Sequence, residues 1–214
     1  TRDGRPLIIH PTGLTWRDDL GTFLGDTVAS KARIYRFDWE QAWRDGNLDH
    51  AVLDEIDDDA AVNGCRPTFV ELAGKTFLAS ADYGDVRPEI RLYDPEALLK
   101  QRRTSAPGVV VHRILAGPFN QNLHWQADGG RLICVQNVVA GKGWRLDAVD
   151  LAKAVADGRV DGPGVRVKLD TAAGTDELEG YWPLDGTRGL FAVARRSNNV
   201  LIGDLQALSV RPGL

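Results

Sequence analysis

Ile34-Tyr35-Arg36-Phe37-Asp38 returns as Ile90-Arg91-Leu92-Tyr93-Asp94, then as Trp144-Arg145-Leu146-Asp147-Ala148-Val149-Asp150, then as Val200-Leu201-Ile202-Gly203-Asp204. The closing aspartates, Asp38, Asp94, Asp150 and Asp204, stand 56, 56 and 54 residues apart. Two further markers keep the same step. One is Trp16, Val70, Trp125 and Trp182; the other is the apolar pairs Phe23-Leu24, Phe77-Leu78, Leu132-Ile133 and Leu190-Phe191. A fixed period of this length is the signature of a repeat architecture, whose units bury their apolar faces against one another.

Each unit reads as four short strands. In the third they are residues 123–126, 131–137, 144–149 and 165–169. Asp128-Gly129-Gly130 is a hairpin signal between the first two. Val165-Arg166-Val167-Lys168-Leu169 alternates with the period of a half-buried edge strand. Glu96-Ala97-Leu98-Leu99 and Leu151-Ala152-Lys153-Ala154-Val155 follow third strands and read as short helical pieces of an outer connection. The pattern predicts an all-β fold over residues 1–214: a single β-propeller of four blades, each of four antiparallel strands.

The last unit has only ten residues after Asp204, too few for a fourth strand, while Pro6-Leu7-Ile8-Ile9 is an extra strand ahead of the first unit. Counted across the two ends, Asp204 to Trp16 spans 26 residues, against 31 or 32 for the same interval inside the chain. The expectation is therefore that the N-terminal strand completes the last blade and removes a sheet edge. A segment of a larger propeller and a two-layer sandwich are the rival readings.

The net charge of −4 and sequence pI of 5.6 argue against nucleic acid, whose phosphates require a basic footprint. No apolar run is long enough to span a bilayer. Cys65 and Cys134 form neither a disulfide framework nor a zinc motif, and read as buried free thiols. The abundance of Arg over Lys, with many Ala, Gly and Asp, points to a GC-rich bacterial genome. The chain contains no Met, so the expectation is a soluble bacterial protein, cytoplasmic or exported with its signal already removed. The oligomeric state stays open.

In a propeller the loops that enter the innermost strands surround the central channel. Here they are His10-Pro11-Thr12-Gly13-Leu14, Gly64-Cys65-Arg66-Pro67-Thr68, Phe119-Asn120-Gln121-Asn122-Leu123 and Asp176-Glu177-Leu178-Glu179-Gly180. Their polarity differs while the flanking strands stay apolar, as expected when the scaffold repeats and the site does not. His10-Pro11-Thr12-Gly13-Leu14-Thr15-Trp16 resembles the HPNGIAW-type strand opening of the SMP-30/gluconolactonase-like lactonase propellers. Glu179-Gly180-Tyr181-Trp182 is similar to that family's EGPVW, and Arg91-Leu92-Tyr93-Asp94 to its YRLD-type third strand. The resemblance implies a divalent cation on the channel axis and hydrolysis of a lactone. It implies Glu179 and Asn122 as metal ligands, with Asp82 or Asn137 in the remaining places. Thr12 stands where the family motif has Asn, and no matching motif places a general base.

Apart from the family, Asn120, Asn122, Glu177 and Glu179 are oxygen-bearing residues on two adjacent loops. Such a set suits a hard cation such as Ca²⁺ or a small polar molecule. Strand capping by the same side chains is the plainer alternative. His124 and His10 lie near the channel entry and are the candidate bases. Arg66 and Arg196 are candidate anion-binding residues. Arg195-Arg196 could instead pair with Asp26 or Asp82. The acidic run Asp54 to Asp59 reads as a solvated loop. Trp16, Trp125 and Trp182 read as blade-packing residues, and Trp39 with Trp43 as staples for a helical turn. Two functions remain: a metal-assisted hydrolase or lyase of a lactone or ester, and a non-catalytic propeller that binds a ligand or a protein.

Overall fold

The computed structural model describes residues 7–8, 10–28, 31–48, 50–61, 65–86, 88–137, 144–160, 165–167, 177–185, 188–194 and 199–204. Four antiparallel sheets follow one another along the chain. The first is β1 (Pro11–Arg17), β2 (Gly21–Val28), β3 (Lys31–Phe37) and β4 (Val52–Asp57); the second is β5 (Thr68–Leu72), β6 (Lys75–Ala81), β7 (Glu89–Tyr93) and β8 (Val110–Leu115). The third is β9 (Asn120–Gln126), β10 (Arg131–Asn137), β11 (Trp144–Asp150) and β12 (Val165–Val167). The fourth has three strands among the described residues: β13 (Leu178–Pro183), β14 (Arg188–Val193) and β15 (Val200–Asp204). In every sheet the strands pair in chain order, and the first strands lie beside one another, β1 against β5, β5 against β9 and β9 against β13. The all-β class and the repeat unit are as the sequence predicts, and the layout is propeller-like.

The aspartates that mark the repeat are helix caps. Asp38, Asp94 and Asp150 precede α1 (Trp39–Asp45), α2 (Pro95–Gln101) and α3 (Leu151–Asp157). Their carboxylates accept the backbone N–H of Gln41, Ala97 and Lys153 at 3.0, 2.8 and 3.0 Å. Each satisfies a donor that a helix start leaves unpaired. Gly46, Arg102 and Gly158 close the helices in the left-handed region. The segment after each later helix then covers the edge of the preceding sheet. Asp57 of β4 bridges to Arg103, and Leu115 of β8 to Arg159, in parallel. Exposed edges invite pairing with other chains, and these bridges shield two of them.

Period-two alternation gives each sheet one face toward its predecessor and one toward its successor. Phe23, Ile34 and Ile56 of the first sheet meet Phe69, Leu78 and Tyr93 of the second. Phe77, Ile90 and Leu92 of the second meet Leu123, Leu132 and Val149 of the third. Ile133, Val135 and Leu146 of the third meet Tyr181, Phe191 and Leu201 of the fourth. Among the described residues no such core joins the fourth sheet to the first.

The first of these seams also carries a buried polar network. The acidic run is not a solvated loop: Asp54 to Asp57 belong to β4, Asp54 is buried, and Asp58 is fully buried. Its carboxylate accepts hydrogen bonds from Tyr93 Oη at 2.8 Å and Thr104 Oγ1 at 2.8 Å. Arg91, also fully buried, donates from Nε to Tyr93 Oη at 3.0 Å and from Nη1 to the Ala60 carbonyl at 2.9 Å. Burial pushes the Asp58 carboxyl up, and Arg91 and the two hydroxyl donors work against that rise.

The expected strand Pro6-Leu7-Ile8-Ile9 is not seen. Leu7 and Ile8 are in no strand, and Pro6 and Ile9 lie outside the described residues. The carbonyl of Leu7 accepts the Tyr35 hydroxyl at 3.2 Å, which sets this residue against the first sheet. A buried tyrosine hydroxyl needs an acceptor, and Leu7 supplies one.

Candidate functional site

Two clusters gather at the inner strands: a polar one where the chain enters them and an apolar cavity further along. The polar cluster is built on Arg66, Gln121 and Glu177, from the loops that enter the second, third and fourth sheets. Arg66 donates from Nη2 to Gln121 Oε1 at 3.1 Å, and Gln121 donates from Nε2 to Glu177 Oε2 at 2.9 Å. One relay thus ties the entries of the second, third and fourth sheets. Arg66 also lies over the Tyr83 ring, 4.9 Å from its centroid, a cation–π contact. Burial pulls the Arg66 guanidinium down, while Asp82, Glu179 and Tyr83 favour its charged form.

Around this relay the structure brings together several of the anticipated residues. Glu179 is half-buried. Burial and the neighbouring Glu177 raise its carboxyl, and Arg66 opposes them. Asn137 Oδ1 accepts the Leu178 N–H at 3.1 Å, tying the end of β10 to the start of β13. Asp82 is buried and within the field of both Arg66 and Arg91. Asn120 is fully buried; its Nδ2 donates to the Gly117 carbonyl at 2.9 Å, and its Oδ1 has no protein partner. The preceding Phe119 has φ of +60°, a strained conformation for a residue with a side chain. Arg196 lies outside the described residues.

A calcium ion needs six to eight oxygens around one point. Here a buried guanidinium already stands among Asp82, Glu179 and Tyr83. Asn122 is not in this cluster but on the wall of the cavity. Among the described residues no three His, Cys, Asp or Glu side chains are placed to hold a metal ion.

The two candidate bases do not share a site. His10 is exposed; its backbone N–H donates to Asp26 Oδ1 at 2.6 Å, and its carbonyl accepts the Thr27 N–H. The residue fastens the start of β1 through its backbone. His124 lies in the cavity, its ring centroid 4.7 Å from that of Trp182 and 6.4 Å from that of Tyr181. Burial lowers its imidazole below the ordinary value.

The cavity, about 770 Å³, is bounded by all four first strands. One wall is the uncovered face of the fourth sheet. There Trp182 pairs across the strands with Leu190 and Ile202, and Gly180 with Ala192 and Val200. Not one of these six residues is polar. From the first sheet only Leu14 to Arg17 of β1 reach the cavity; further out on the face that carries Leu14 and Trp16, Thr22, Tyr35 and Phe37 are buried. Trp125 packs against the core between the second and third sheets, as the sequence suggests. Trp16 and Trp182 do not: they are 62% and 59% exposed and line the cavity. Their faces are those that a neighbouring sheet covers elsewhere in the molecule. The expected polar channel is thus, at this end, an apolar one.

Sequence reasoning anticipated most of the polar cluster from the aligned loops but passed over Gln121, the residue that joins Arg66 to Glu177. What hid it is that a neutral side chain draws no attention on chemical grounds.

Among the described residues no helix is long and apolar enough to cross a membrane. No family model and no curated protein sequence matches the chain, so the lactonase-type resemblance of its short motifs is carried no further. Two solved structures resemble it in overall course. One is Kuenenia stuttgartiensis hydrazine synthase, at 13% identity and a TM-score of 0.46, covering 92% of this chain and 55% of that one. The other is the Dos1 propeller, at 12% identity and a TM-score of 0.42, covering 91% of this chain and 41% of that one. The chain spans about half the length, or less, of the solved chains it resembles.

Proposed function

We propose that this chain is a non-catalytic binding module, a propeller of four blades whose ligand enters the seam between the fourth sheet and the first. The observation that carries the reading is the cavity of about 770 Å³, lined by the four first strands and mostly by apolar side chains. Ligand sites are typically concave, roughly 300–1,000 Å³, mostly apolar, and fitted with a few polar groups. His124 and Asn122 are such groups here. The polar cluster at the other end holds three sheets in register, and its arginine supplies the counter-charge that a catalytic cation would otherwise bring.

Thermal unfolding tests this. A small neutral organic compound at about 100 times its dissociation constant adds roughly 2.7 kcal/mol, which raises the midpoint by about 5–10 °C for a domain of this size. Leu190→Trp, which fills the cavity, is expected to abolish that shift, and Ca²⁺ or Mg²⁺ to produce none. A shift with a divalent cation and none with any organic compound would overturn the reading in favour of a cation site at Glu179.

A further inference from the structure

We propose that the ligand of this cavity is an uncharged aromatic ring compound carrying a hydrogen-bonding substituent. This rests on the binding reading above and names the chemical class. The first ground is where the aromatic surface lies. Trp16 comes from the first sheet and Trp182 from the fourth; both line the cavity, each with more than half its surface uncovered. Two indoles left this exposed on one cavity offer aromatic surface to a third ring. Aromatic pairs gain from offset or edge-to-face geometry beyond the area they bury. A flexible aliphatic occupant would fill the same volume without that gain, and would lose rotor freedom on entering.

The second ground is charge. The charged side chains on the cavity wall are Arg17 and Glu71. They pair with each other at 3.2 Å, and Arg17 also pairs with Asp19 at 2.7 Å. A charged ligand would leave water without a counter-charge to meet it, which is costly. The third ground is polarity. His124 stands edge-on to Trp182, and Asn122 lies two residues before it on the same strand and the same cavity wall. A neutral imidazole offers one donor and one acceptor, and an amide offers both. The burial that lowers the His124 imidazole keeps it neutral near pH 7. A hydroxyl or ring nitrogen on the ligand would find a partner there.

The matched probes are naphthol and its saturated counterpart decahydronaphthol, which share a skeleton and a hydroxyl. Calorimetric titration of the full chain is expected to show naphthol binding at least ten-fold more tightly. Trp16→Ala and Trp182→Ala are each expected to bring naphthol close to the saturated compound. Both side chains are largely exposed, so neither change hollows a core. Trp43→Ala, on the exposed surface of α1, controls for adhesion to any open indole and is expected to leave the affinity unchanged. Equal affinity for the two probes would overturn the aromatic assignment and leave the binding reading standing. Binding of neither would overturn both. Undiminished naphthol affinity in Trp16→Ala and Trp182→Ala would overturn the assignment to this cavity.

Discussion

The seam between the first and second sheets and the outer face of the fourth sheet are alike in apolar composition and opposite in fate. In the former, Phe23 and Phe69 meet edge to face at 5.3 Å, within a core whose side chains are almost wholly enclosed. In the latter, Trp182 is 59% exposed, Val200 59% and Ile202 68%. Apolar patterning makes a face able to pack, and a partner face of the right shape makes it packed. The first seam also carries a buried hydrogen-bond network around Asp58. A monomeric protein seldom leaves so large an apolar surface uncovered without a use for it.

The largest effect expected is at the sealed seams. Asp58→Ala removes the acceptor of the buried Tyr93 and Thr104 hydroxyls and a carboxylate whose field favours Arg91, while the Arg91–Glu89 pair at 3.8 Å remains. Leaving a buried hydrogen-bonding group without its partner costs about 1–3 kcal/mol, so two of them cost about 3–5 kcal/mol. Phe191→Ala, in the core between the third and fourth sheets, should cost about the same by opening a cavity. Denaturant unfolding reads both. A loss below about 1 kcal/mol for Asp58→Ala would mean that the network is incidental and that the apolar core alone seals the seam.

A smaller effect tests the repeat markers. Asp94→Ala and Asp150→Ala each remove a helix cap, at a cost of about 1 kcal/mol. If the aspartates served the strands and not the helices, Asn at these positions would be as damaging as Ala. As caps, Asn should restore most of the loss.

That distinction shows how much was legible in the sequence. The period was visible because Asp38, Asp94 and Asp150 recur, yet the recurrence did not say why. The polar entry cluster was legible because Arg66 and Glu177 fall in the loops that lead into the first strands of their sheets. Burial was not legible. Asp58 sits between Asp57 and Asp59, both exposed, and nothing local sets it apart. Its burial comes from Tyr93 and Thr104, more than thirty residues away. The tryptophans failed for the same reason. Trp125 and Trp182 hold one place in the repeat and both line the cavity, but Trp125 also packs against a core shared with another sheet while Trp182 stays largely exposed. Pattern shows which face is apolar; only the neighbouring sheet decides whether that face is covered.

The open seam should also reveal itself through pH. Burial holds the His124 imidazole below its ordinary value. The unfolded chain takes up a proton near pH 6.5, where the native imidazole does not. The stability that His124 contributes is therefore present above about pH 6.5, is lost as pH falls through that value, and levels off below the lowered native value. Stability of the native chain minus that of His124→Gln, followed from pH 8 to pH 5, should decline on acidification. A difference that grows instead would mean that the imidazolium is favoured in the fold, and that the cavity presents negative charge to it.

The smallest effect is the sharpest test of the contrast. Trp182 and Phe191 lie on adjacent strands of the fourth sheet and on its opposite faces. Both are large aromatic residues, and both belong to the apolar pattern that makes this sheet pack. Phe191 is enclosed and Trp182 is not. Trp182→Ala gives up its contact with His124 and little else. Surface substitutions of this kind change stability by about 0.5 kcal/mol or less. The same truncation on two faces of one sheet should thus differ several-fold in cost. If Trp182→Ala proves as costly as Phe191→Ala, the seam is closed in solution and its tryptophans are core residues after all. If it proves nearly free and also removes a bound aromatic compound, the face is uncovered because it serves a ligand.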